Sequence, residues 1–165
     1  MAISANARLD EQAYFVQATT MSSDWTGATW VSMKNWRKLI IVADALTTGS
    51  VTGGVVTLNQ ATDVAASGAK AIGFKRRKLS LGLTTAQTEA AQALTETAVS
   101  SDTWSIASTT GKRYRSIMEV DSDTLDIAGG FDCVRFVSTA LVNATGVVNY
   151  ILVGARYDGA SAMID

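Results

Sequence analysis

Histidine and proline are both absent from this chain of 165 residues, and cysteine occurs once. Without histidine, every Ser-His-Asp or Cys-His arrangement and every histidine metal site is excluded. Without proline, no turn has a pre-set φ, so Asn, Asp and the 13 glycines must shape the turns. The single thiol, Cys133, cannot close an intramolecular disulfide, so the fold must stand on its core or on partner subunits. Lying in an apolar strand-like segment, Cys133 reads as a small core residue, with an intersubunit or reactive thiol as the alternative. Charge is scarce too: Asp, Glu, Lys and Arg make up 18% of the chain, and the formal net charge is -1. Long-range attraction to nucleic acid or to an anionic membrane is not implied. The first twenty residues lack a basic patch followed by an apolar run, and no stretch approaches the ~20 apolar residues of a membrane span. The expected compartment is a cytoplasm, or a particle assembled in one.

What remains is apolar and strand-forming. Hydrophobic residues reach 47%, enough for one compact domain burying roughly 70% of its unfolded surface. Residues 1–24 read as an N-terminal arm. In it Leu9, Ala13 and Val16 recur at helical spacing after Asn6, with too little apolar area to stand alone. Such an arm either straps its own domain or docks on a neighbour. Residues 25–165 read as the domain proper. "ATWVSMK" (28–34) puts Val31 and Met33 on one face, and "RKLIIVADAL" (37–46) carries the unbroken apolar run Leu39 to Ala43, the pattern of a strand covered on both sides. Only Asn35 and Trp36 separate the two, so they form a hairpin or one long bent strand. Strand patterns recur at 55–63, 66–74, 103–108 and 112–120. Residues 84–97, "TTAQTEAAQALTET", are expected to form one short helix capped by Thr85. Strands about ten residues apart with polar, Gly-containing links indicate a mainly β fold, a sandwich, jelly roll or related barrel.

Four stretches could carry chemistry. Asp121, Asp123 and Asp126 suggest a hard-cation site, but Leu125 and Asp126 occupy the places where a calcium loop needs an oxygen ligand and a glycine, so we read a solvated turn. Lys75, Arg76, Arg77 and Lys78 form a local basic patch, read as a solvated loop or as a contact to an acidic protein neighbour, with nucleic acid last because aromatics for stacking are sparse nearby. "TTGK" (109–112) lacks the spacing of a phosphate loop and reads as a hairpin turn. Trp25, Trp30 and Trp36 could form a sugar platform, yet their strand context favours core or interface packing.

Two separated passages resemble a family of small bacteriophage virion structural proteins. The first is Gln60, Ala61, Thr62 and Asp63 ahead of Gly68, Ala69 and Lys70. The second comprises Asp123, Leu125, Asp126, Gly130, Phe131, Val134 and Arg135, leading to Gly154, Arg156 and Tyr157. The resemblance spans about 60 residues and leaves out the arm, the Trp-rich start and the Ala-rich segment. It implies a non-enzymatic virion protein, foremost a head decoration or cement protein on the capsid surface, made in the host cytoplasm. A tail or connector role and a carbohydrate- or receptor-binding sandwich are the alternatives. The implied partners are the major capsid protein and further copies of the chain; from the residues themselves no membrane, cofactor or metal is expected, and nucleic acid ranks last among partners. The residues expected to meet partners are Leu9, Ala13, Val16, Trp25 and the Lys75–Lys78 patch.

Overall fold

The computed structural model describes residues 13–21, 29–47, 51–82, 95–99, 103–108, 112–138 and 144–155. Eleven strands account for most of them: β1 (Ala13–Met21), β2 (Val31–Ser32), β3 (Trp36–Thr47), β4 (Val51–Ala61), β5 (Lys70–Ile72), β6 (Phe74–Gly82), β7 (Thr95–Val99), β8 (Thr103–Ser108), β9 (Lys112–Asp121), β10 (Cys133–Ser138) and β11 (Ala144–Ala155). They form two antiparallel sheets packed as a sandwich. The larger has the order β1-β11-β3-β9-β6-β7; the smaller has the order β2-β10-β4-β5, with β8 also paired to β4. Among the described strands, only β4–β5 and β6–β7 are consecutive and stay in one sheet; every other step along the chain crosses from sheet to sheet.

The core follows from alternation. On β3, Leu39, Ile41, Ala43 and Ala45 point inward; they meet Met118 and Val120 of β9, and Val148, Tyr150 and Leu152 of β11. The small sheet answers with Val56 and Leu58 of β4, and Val134 and Phe136 of β10, all fully buried. Arg135 lies between the last two on the opposite face, as the alternation requires. Tyr150 ties the sheets together. Its hydroxyl accepts a hydrogen bond from the backbone N–H of Phe136 at 3.0 Å, satisfying an amide on β10 inside the core, and burial pushes its phenol well above the ordinary value.

Several sequence expectations need correcting. Residues 28–34 and 37–46 are neither a hairpin nor one bent strand: β2 belongs to the small sheet and β3 to the large one. The chain changes sheet in a tight turn in which Trp36 N–H donates to Met33 C=O at 2.9 Å. Nor does "TTGK" close a hairpin, because β8 and β9 lie in different sheets. The basic stretch 75–78 is not a loop. It lies in β6, paired on one side with β9 and on the other with β7. The end of the expected helix, residues 95–97, is in β7, where pairing outweighs the helix propensity of a Glu flanked by threonines; residues 84–94 lie outside the described residues. Ala13 and Val16 are also not helical. β1 runs along the edge strand position beside β11, with a bulge at Val16 between the Phe15–Ile151 and Gln17–Tyr150 pairs, and Val16 packs against the core.

Candidate functional site

The two passages set apart in the sequence meet at one end of the sandwich. β4 ends in Gln60 and Ala61, which pair in register with Val134 and Cys133 of β10. Two loops therefore leave this strand pair side by side: residues 62–69, joining β4 to β5, and residues 122–132, joining β9 to β10. The first is closed on itself. Thr62 N–H donates to Ser67 C=O at 3.1 Å, and the Asp63 carboxylate accepts from Ser67 N–H at 3.0 Å, a bond that lowers the Asp63 pKa. Ala66 takes a left-handed conformation, φ 74°.

The second loop consists of two 3-10 turns, Ser122–Thr124 and Ile127–Gly129. Leu125 is buried between them and anchors the loop to the core. Gly130, at φ 80°, ends the second turn in a left-handed conformation that other residues adopt at a cost, and so redirects the chain toward β10. Gly129 is there for a different reason: a Cβ would come within 2.8 Å of the Asp126 carboxylate, which caps this turn by accepting Gly129 N–H at 3.0 Å.

Asp126 is the hub. Its backbone N–H donates to the side-chain oxygen of buried Gln60 at 2.9 Å, and its C=O accepts Phe131 N–H at 3.0 Å. Its second carboxylate oxygen takes Lys70 Nζ at 2.5 Å. The Lys70 bond first, and the Gly129 amide second, lower the Asp126 pKa. Lys70 Nζ also lies 4.1 Å from the centre of the Phe131 ring, a cation–π contact that binds the first passage to the second once more. Asp132 N–H donates to Ala61 C=O, and Met33 N–H to Asp132 C=O at 2.7 Å, so the β2 turn joins the same unit.

This geometry decides what the acidic residues do. Asp121 is 3.4 Å from Lys38, Asp123 accepts from the Ser122 hydroxyl at 3.3 Å, and Asp126 holds Lys70. The three carboxylates engage different partners, and among the described residues no group of three or more His, Cys, Asp or Glu is placed to share a metal ion. Cys133 is buried, its thiol pushed up to about 12 by burial first and by the neighbouring Asp132 carboxylate, so at neutral pH it is a protonated packing group and a poor nucleophile. Trp30 and Trp36 are core residues. Trp30 packs with Ala61 and Cys133 and carries the Arg135 guanidinium 4.8 Å above its ring, so neither indole offers a sugar platform. A shallow pocket of about 200 Å³ opens beside the loop unit, lined by Met33, Lys34, Leu125, Phe131 and Asp132, with Ile127, 53% exposed, at its lip.

Of the residues expected to meet partners, Leu9 and Trp25 lie outside the described residues, as do Arg156 and Tyr157 of the resembling passage. Ala13 and Val16 are in β1, and Lys75 to Lys78 in β6, so the structure does not bring the two groups together: β11, β3 and β9 lie between their strands. In register, Lys75 stands opposite Glu119 of β9 and Arg77 opposite Glu96 of β7. Sequence reasoning read the unbroken run Leu39 to Ala43 as a strand covered on both sides, but placed no candidate site residue on the outward face of the large sheet.

No protein-family model matches the chain, and no curated protein matches it. Among solved structures, the SPBc2 prophage-derived protein YomS is similar over 83% of this chain and 96% of its own, with a TM-score of 0.39 and 11% identity. Overlap at that level establishes neither a common fold nor a common role.

Proposed function

We propose that the chain is a non-enzymatic structural component of a phage particle, foremost a head decoration or cement protein that binds the assembled shell and stabilises it. The observation that supports this reading is the convergence on Asp126. The two passages carrying the resemblance to virion structural proteins, more than fifty residues apart, are fastened to each other by Gln60, Lys70 and Phe131. They act as one rigid part whose polar groups hold each other. A catalytic site would instead aim such groups at a shared space. A cement protein needs rigidity of this kind, since it gains affinity from many modest contacts repeated by symmetry, and each ordered segment loses less entropy on docking.

Co-sedimentation with the parent particle tests the reading. The purified chain should pellet with assembled shells and leave free capsid subunits in solution, and cryo-electron microscopy of the same particles should place it on the head. Density on the tail or at the portal would replace the cement role by a tail or connector role. Failure to pellet with any part of the particle would remove the virion reading altogether.

A further inference from the structure

The outward face of the large sheet is aliphatic at its centre. The register sets Ile40 beside Ile151 and Asp44 beside Val147 across β3 and β11, and Val42 beside Ile117 across β3 and β9. These aliphatic side chains are only partly covered, and Leu46, at the end of the same row, is 41% exposed. An antiparallel sheet with water on one side alternates apolar inward with polar outward. β3 does not: Leu39, Ile41 and Ala43 fill the core while Ile40 and Val42 continue the apolar run on the other side. The strand has the composition of one covered on both faces, and the small sheet covers one.

The charges on this face say what kind of surface fits it. Arg115 donates two hydrogen bonds to Asp44, both 2.9 Å, and Lys38 lies 3.1 Å from Glu119 and 3.4 Å from Asp121. Arg115 and Lys38, the two cations of this face whose side chains are described, are already matched within the chain, so a strongly acidic or basic partner gains little at its centre, whereas an apolar, charge-balanced sheet face meets no uncompensated charge there. The same face of a second copy has that character. We propose that the chain forms a twofold dimer by packing its large sheets face to face, about 10 Å apart. The area suffices. Five strands, β1 to β6 in sheet order, present about 24 Å by 27 Å over eight paired residues. That is on the order of 650 Å² in projection, and pleating and side chains carry it toward the ~800 Å² per partner of a stable complex. The dimer goes beyond the virion reading and does not rest on it, since it requires no particle.

Sedimentation velocity of the purified full chain, from about 1 to 100 µM, is the test. The wild type should sediment as a dimer. Val42→Lys and Ile151→Lys, each burying an unmatched ammonium at the centre of the face, should weaken it by roughly 100-fold or more, and Leu46→Lys by roughly 10-fold. Leu46 is exposed, so its replacement decides the matter if either central variant fails to fold. In a second arm, Ile40→Cys should be joined to its twin by a short bismaleimide, while the wild type, whose buried Cys133 thiol stays protonated, should not. A monomeric wild type at the highest concentration, a trimer or larger species, or a dimer that both Val42→Lys and Leu46→Lys leave intact overturns the proposal.

Discussion

The loop end of the sandwich and the outward face of its large sheet treat their groups in opposite ways. At the loop end, charged and polar residues dense enough to suggest a binding site are matched to one another: Asp126 to Lys70 and Gly129, Gln60 to the Asp126 amide, Asp63 to Ser67. On the sheet face, Ile40, Val42, Ile117 and Ile151 lack a covering layer among the described residues, although the run Leu39 to Ala43 has the pattern of a strand covered on both sides. The difference teaches where outstanding interaction free energy resides. A polar cluster whose partners lie in its own chain is part of the scaffold, and an apolar strand covered on one side only points to a neighbour.

If the loop end is scaffold, damage there should appear as lost stability. Trp30→Ala should have the largest effect, about 3–5 kcal/mol in urea unfolding, because the ring is buried against Ala61 and Cys133 and supports Arg135. Gln60→Ala should follow with about 1–3 kcal/mol, since it strips the Asp126 amide of its acceptor. Tyr150→Phe should cost about 1–2 kcal/mol, since it removes the hydroxyl that accepts Phe136 N–H inside the core. By contrast, Leu46→Lys on the sheet face should change the monomer's stability by no more than about 0.5 kcal/mol while weakening association. Comparable losses at both places would erase the distinction.

Acid should act on the loop end selectively. The folded-state pKa values of Asp126 and Asp63 lie below their ordinary values, so both groups contribute stability that is complete above about pH 5 and is lost as pH falls through 4 and below. Protection of the Gly129 and Ser67 amides, measured against their intrinsic exchange rates, should fall over that range while β3 amides stay protected. In Asp126→Asn, the Gly129 amide should lose this dependence. The smallest effect is expected at Ala66, whose left-handed backbone favours glycine: Ala66→Gly should stabilise by about 0.5 kcal/mol, measured by the urea midpoint.

How much of this was legible in the sequence depends on whether the signal was local. Alternation in 31–33, 56–58 and 134–136 identified inward residues correctly, because period-2 patterning reports burial directly. The same patterning carries no information on which sheet a strand joins, and in a sandwich whose chain crosses at almost every link, the Met33–Trp36 turn and the 109–111 link were misread for that reason. Lys75 to Lys78 read as a loop because four adjacent cations obscured the continuing alternation of Leu79 and Leu81 in β6. Gln60, Lys70 and Asp126 could not be joined from local pattern at all. Their meeting depends on the pairing of β4 with β10, and only the resemblance had put the two passages together.

The central claim, that this is a rigid part made to bind and brace an assembled shell, is tested most directly by the rupture temperature of particles stripped of the protein and then resupplied with it. A protein that binds the assembled lattice in preference to free subunits must stabilise it in proportion to occupancy. With a formal net charge of -1 and 47% hydrophobic residues, the contacts should be mainly apolar. They should persist in 1 M salt, where charge pairs are screened beyond about 3 Å. The account predicts that re-addition restores the rupture temperature of the intact particle at both low and high salt. An unchanged rupture temperature at full occupancy would contradict it.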